Sequence, residues 1–188
     1  MKSRNNPFAS HHVESLPYRF TATCLTAVME QLAAQHYRGA IIGPKGSGKT
    51  TLLETIGRQL AQTGFSCRYL YLQKGQKPFY NPALSRENAQ KTAFLIDGAE
   101  QLSRTAWYRF YFKIRRAGAV VVTAHARHAL PALIHTQTSP ALLYDLVLKL
   151  AGQAEAVAEP EIDALYSRHQ GDIRQALREM YDVWTTRA

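Results

Sequence analysis

Gly43-Pro44-Lys45-Gly46-Ser47-Gly48-Lys49-Thr50 decides how this chain is read. The run fits the phosphate-loop pattern G-x4-G-K-S/T, and each fixed position has a physical reason. Glycine reaches backbone conformations closed to other residues, so successive N–H groups can turn into one concavity that holds phosphate. Lys49 reaches the β- and γ-phosphates as a point charge, and the Thr50 hydroxyl can ligate Mg²⁺. Thr51 follows in the first turn of a helix whose positive end faces the same anion. The whole run from Gly43 through Pro44, Lys45, Gly46, Ser47, Gly48, Lys49 and Thr50 to Thr51 is therefore the expected nucleotide-binding segment. A glycine-rich turn without a ligand is the alternative.

Working outward, Arg38–Ile42 before the loop predicts a short buried strand. Thr51–Gln62 after it predicts a helix with Leu52, Leu53, Ile56 and Leu60 on one face. Leu25, Val28, Met29 and Leu32 mark a helix packed ahead of that strand. Phe65–Leu72 alternates and is rich in aromatics, which predicts a second strand, and Lys74–Asn81 predicts a loop. Thr92–Asp97 is nearly all apolar, as expected of a strand covered on both faces. Ser103–Ala117 predicts a helix, Ala119–Thr123 a fourth strand, and Ala132–His135 a candidate fifth. Strands alternating with helices predict an α/β fold with a parallel sheet.

The 188 residues carry a net charge of +9, unevenly spread: residues 1–138 sum to +12 and residues 139–188 to −3. The break coincides with Ser139-Pro140, an N-cap and first-turn proline. Two domains are expected: a nucleotide-binding core with an N-terminal extension over 1–138, and a small helical lid over 139–188. In the lid one helix starts at Ser139-Pro140 and a second at Pro160. Asp172 caps a third, with Leu177, Met180, Tyr181 and Trp184 facing inward. A basic core suits triphosphate and DNA, and suits a merely basic surface equally. Cys24 and Cys67 have no metal-like spacing, so a reducing compartment is the default. No apolar stretch follows the basic Met1–Pro7 and no run reaches the roughly 20 residues that span a bilayer, so a cytoplasmic protein without a membrane partner is expected. His11-His12 and His125/His128 lack a carboxylate or thiolate at ligand spacing.

Phe94-Leu95-Ile96-Asp97 has the form of an apolar strand ending in an acid at the carboxyl edge of a sheet, where ligands bind in α/β folds. Asp97 is then expected on the Mg²⁺ side beside Thr50, directly or through water; turn formation alone is the other reason for a buried strand to end in Asp. With Gly43–Thr50, Phe94–Asp97, Val120–Thr123 followed by Ala124-His125, and Gly171-Asp172-Ile173-Arg174-Gln175-Ala176-Leu177, the chain resembles the AAA+ and related P-loop ATPases. It is most similar to the small bacterial kind allied to origin-recognition and transposition ATPases. The resemblance spans most of residues 38–186.

The resemblance implies ATP and Mg²⁺ as cofactors. It puts Thr123, or His125 in its stead, in the place of the polar residue that orients water near the γ-phosphate. It puts Arg174 in the place of the lid arginine that reaches the γ-phosphate, although Arg174 and Arg178 also fit a solvated helix face. Arg127 is one candidate for an arginine offered to a neighbouring subunit. One departure stands out: the family has Glu directly after the strand-end Asp, and here that position is Gly98. Glu100 is the nearest acid and the candidate general base; helix capping or solvent exposure are its other roles. On the helix Ser103–Ala117, Trp107, Phe110, Tyr111 and Ile114 form an inward stripe. Arg104, Tyr108, Phe112 and Arg115 form a second stripe that suits a partner surface or snorkelling arginines.

Three functions fit: an ATP-binding ATPase or switch acting on a macromolecular partner, a non-catalytic ATP-dependent DNA-binding or scaffold protein, and a small-molecule kinase. The acidic C-terminal region counts against the kinase, and a guanine-specific reading lacks an N/T-K-x-D element. A protein partner, a homo-oligomer and DNA are all compatible with the sequence.

Overall fold

The computed structural model describes residues 6–21, 23–73, 86–152 and 158–187. The chain divides into two compact units. One holds residues 18–43 and 48–136; the other holds residues 1–17, 44–47 and 137–188.

The first unit is built on five parallel strands: β1 (Arg38–Ile42), β2 (Ser66–Tyr71), β3 (Thr92–Asp97), β4 (Ala119–Ala124) and β5 (Ala132–His135). Their order across the sheet is β2-β3-β4-β1-β5. The central strands β3 and β4 are buried nearly throughout, which is why their sequences run apolar without alternation. Successive side chains still point to opposite faces, and two cores result. Ile41, Ala93, Leu95, Ala119 and Val121 meet Val28 and Leu32 of α2 (Leu25–Ala34) and Leu52, Leu53, Ile56 and Leu60 of α3 (Lys49–Gln62). Ala40, Ile42, Phe94, Ile96, Val120 and Val122 meet Trp107, Phe110 and Ile114 of α5 (Arg104–Ile114). The predicted strands and helices are all present, to within a few residues at their ends. The loop predicted over 74–81 lies outside the described residues, and the five-residue α4 (Arg86–Gln90) was not foreseen.

Arg38 ties the start of β1 to the end of α5. Its guanidinium donates to the carbonyls of Arg115 (3.1 Å), Ala117 (2.5 Å) and Gly118 (3.0 Å). A fixed cation here satisfies acceptors that the helix end leaves open and opposes its negative pole.

The second unit is helical. It contains α1 (Ser10–Ser15), α6 (Pro140–Ala151), α7 (Glu159–Arg168) and α8 (Ile173–Arg187). Ser139 caps α6 by accepting from Leu142 N at 3.1 Å with Pro140 in the first turn, and Asp172 caps α8 by accepting from Gln175 N at 3.2 Å. One apolar core joins Leu143, Val147, Ile162, Leu165, Ile173, Ala176, Leu177 and Met180. Phe8 belongs to it too, 3% exposed and edge-on to Trp184 at 5.6 Å. Asn6, itself buried, donates from Nδ2 to Tyr181 O (2.9 Å) and Thr185 Oγ1 (3.1 Å). Residues 6–17, read from sequence as an extension of the core, thus pack with the C-terminal helices, because Phe8 and Asn6 find their apolar and polar partners there.

Candidate functional site

The Gly43–Thr50 run takes the conformation that its glycines permit. Gly46 and Gly48 have φ of 76° and 78°, where a side chain is strained. A Cβ at Gly48 would also stand 3.2 Å from the Tyr18 ring. Ser47 is buried and closes the turn by donating to Pro44 O at 2.8 Å. Gly43 N donates to Ala124 O at 3.1 Å, so the loop leaves the sheet anchored on β4. The buried Lys49 donates from Nζ to Gly43 O at 2.8 Å. Helix α3 opens at Lys49 with no acid in its first turn, which keeps its N–H groups and positive pole suited to an anion. Thr51, half-buried in that turn, accepts from Thr55 Oγ1 at 2.8 Å through its carbonyl.

Asp97, at the carboxyl end of β3, gathers the neighbouring hydroxyls. Thr50 Oγ1 donates to its Oδ2 at 2.8 Å, and Thr123 Oγ1 donates to its Oδ1 at 2.5 Å. Thr123 in turn accepts from Gly98 N at 2.9 Å. Its hydroxyl is therefore fixed in direction: hydrogen toward the carboxylate, lone pair toward the backbone. Strands β3 and β4 are hydrogen-bonded neighbours, which brings together residues 26 positions apart. Thr50, Asp97 and Thr123 form one cluster.

Gly98 stands where the resemblance would put an acid, and its backbone leaves little room for a side chain. Its φ is 80°, and a Cβ there would meet Leu72 O at 2.9 Å. The chain turns sharply at that point into a 3-10 turn over Ala99–Gln101. Glu100, on this turn, points its carboxylate at His125, with Oε1 3.4 Å from Nε2. The cap of α5 is Ser103, which accepts from Ala106 N at 3.3 Å. Glu100 and His125 thus make a second pair beside the Asp97 cluster. His128 stands edge-on to Trp107 at 4.4 Å and accepts from Leu130 N at 3.2 Å through Nδ1. Burial pushes its pKa below the ordinary value, and the negative charge of Glu100 opposes that shift in part. Arg127 is exposed.

In the helical unit, Arg174 lies on the exposed side of the first turn of α8. Asp172 just ahead of it lies 3.5 Å from Lys45 Nζ through Oδ2. A Cβ on Gly46 would run into the Asp172 carboxylate. The sequence marked Asp172 as a cap and as part of the Gly171–Leu177 stretch, not as a partner of Lys45. Tyr18 against Gly48 and the Glu100–His125 pair were likewise not foreseen. An aromatic in an irregular segment carries no periodic signal, and the pair depends on which strands are neighbours.

Among the described residues no three His, Cys, Asp or Glu side chains converge as metal ligands. A hydroxyl and one carboxylate, Thr50 and Asp97, suit Mg²⁺, which is bound through one or two carboxylates together with substrate phosphates and waters. No described helix is long and apolar enough to cross a membrane. No protein-family model matches the chain, and no curated protein matches it. Fold and site alone therefore define its class: an α/β protein with a five-stranded, all-parallel sheet.

Proposed function

We propose that the chain is an ATP-binding P-loop protein of the AAA+ kind, a slow ATPase or nucleotide-dependent switch acting on a macromolecular partner. The observation that carries this reading is the convergence of Thr50 and Thr123 on the Asp97 carboxylate, directly beside the helix start that bears Lys49. Lys49 would exchange its bond to Gly43 O for phosphate oxygens. Thr50 and Asp97 would hold Mg²⁺, which when bound neutralises the charge developing on the phosphates. Thr123 keeps Asp97 oriented. Glu100 is the acid left to activate water, steered by His125. Bound Mg·ATP at about 100 times its dissociation constant should add about 2.7 kcal/mol to stability. Thermal melting with and without Mg·ATP checks this, and Lys49→Ala should lose most of the gain. Unchanged protection in Lys49→Ala would sink the reading.

A second reading, an ATP-dependent binding protein without turnover, is favoured by Gly98, whose backbone leaves no room for the acid the resemblance expects. Phosphate release separates the two. Glu100→Gln should retain ATP binding and lose hydrolysis if the chain is an ATPase. Gly98→Glu should bring no gain in turnover and should lower stability by about 1–2 kcal/mol through the left-handed backbone alone.

A further inference from the structure

We infer that the outward face of α5 binds single-stranded nucleic acid. The inward face of this helix is ordinary core, with Trp107, Phe110 and Ile114 buried. The outward face carries Tyr108, 54% exposed, and Phe112, 65% exposed, one turn apart. Tyr69 and Tyr71, the other large exposed aromatics among the described residues, have partners on α3: Tyr69 lies over Gly57, and Tyr71 Oη meets Glu54 Oε1 at 3.5 Å. Tyr108, and Phe112 beyond the one side that the Arg115 guanidinium covers, present their rings to solvent.

Their surroundings are strongly basic. Residues 104–116 contain Arg104, Arg109, Lys113, Arg115 and Arg116 and no carboxylate. At 3.6 residues per turn, Arg104 and Arg115 fall on one side of the aromatic pair and Arg109 and Arg116 on the other. The Arg115 guanidinium already stacks over Phe112, 4.2 Å from the ring centre. Rings bordered by guanidinium groups match a strand that alternates flat bases with phosphates, since every base has a π-face and every linkage an anion. A duplex hides its base faces and would leave both rings without partners. An acidic peptide would answer the charges and not the rings. A second copy of this chain would oppose five cations to five more, which disfavours self-association.

This inference names the partner class that the nucleotide-switch reading leaves open. It does not depend on that reading, because none of its residues lies on the phosphate loop. The test is fluorescence anisotropy without nucleotide, on a labelled oligothymidylate of about 20 residues, longer than the roughly 4–16 nucleotides such a surface covers. A duplex of equal length and heparin serve as comparison ligands. The single strand should bind at least about tenfold more tightly than the duplex. The pair Tyr108→Leu/Phe112→Leu keeps an apolar helix surface but removes the rings; it should weaken single-strand binding about tenfold or more and leave heparin unaffected. Arg109→Gln/Arg116→Gln should lower the slope of log affinity against log salt by about 1.4. Lys49→Ala should bind the strand like the wild type, so failure of the ATP reading and of this one are separable. No single-strand binding overturns the inference. So does equal binding of strand, duplex and heparin that the ring variants leave unchanged, which would be charge alone. So does a wild-type dimer, seen by sedimentation, that the ring variants dissociate.

Discussion

The two units hold their polar groups in opposite ways. In the sheet unit, Asp97 and Thr123 sit at the ends of adjacent strands, and the backbone ladder fixes their separation before any side chain acts. In the helical unit, the N-terminal segment is fixed by side chains: Asn6 reaches Tyr181 and Thr185 across 175 and 179 residues, and Phe8 fills the core beside them. Geometry set by strands survives the loss of one side chain better than geometry set by one aromatic and one amide. A site that must aim a carboxylate gains from the first arrangement.

That contrast can be broken most directly at Phe8. Phe8→Ala should destabilise the helical unit by about 3–5 kcal/mol. Each unit has its own tryptophan, Trp184 in the helical unit and Trp107 in the sheet unit. Urea unfolding followed through Trp184 in a Trp107→Phe background should shift strongly. The same substitution followed through Trp107 in a Trp184→Phe background should shift little. Equal shifts would mean that the units unfold together and that the contrast has no thermodynamic content.

Thr123→Val sharpens the comparison from the other side. It takes a donor from Asp97 and an acceptor from Gly98 N, and should lower stability by about 1–3 kcal/mol. The strand register should persist, so circular dichroism should remain that of the wild type, while under the proposed ATP reading the Mg²⁺-dependent part of thermal protection by ATP should fall. A collapse of the sheet signal would show that the hydroxyl, not the ladder, holds β3 and β4 together.

The smallest effect is expected at His128. Its pKa is depressed in the folded protein by burial, with Glu100 working against the shift, so the unfolded chain binds its proton more readily. The stabilisation is complete above the unfolded value of about 6.5 and is lost as pH falls through the folded one. Wild-type stability should therefore fall between about pH 7 and pH 5 more steeply than that of His128→Asn. Parallel curves would remove His128 from the account.

Much of the sheet unit was legible because its signals are local. Uninterrupted apolar runs at Thr92–Asp97 and Ala119–Val122 announce buried strands, and the glycine spacing of the loop announces its backbone. Thr50, Asp97 and Thr123 could be named because each stands at a strand end or a motif position. Glu100 was named for being the nearest acid, but its partner His125 lies 25 residues on and meets it only because β3 and β4 are neighbours. Helix α1 was invisible for a different reason. Ser10–Ser15 buries no residue, so it has no apolar face to read. Asn6 and Phe8 escaped because a lone amide and a lone aromatic in an irregular segment have no period. The chemistry of a strand end can be read from a few residues, while a clamp made by distant side chains cannot.

The register of β1 also has a consequence for the order in which the chain takes shape. Arg38 pairs with Val120, 82 residues later, and Ala40 pairs with Ala132. On a ribosome, the strand that leads into the glycine loop emerges long before either flanking strand exists. Local helices can form early, but closing such long loops is slow. Gly43 cannot find Ala124 O until that stretch has been synthesised, so the loop acquires its anchored form late. A ligand of that loop would therefore meet a cradle only after more than 120 residues were made, and would act as a check on a finished sheet and not as a template for it.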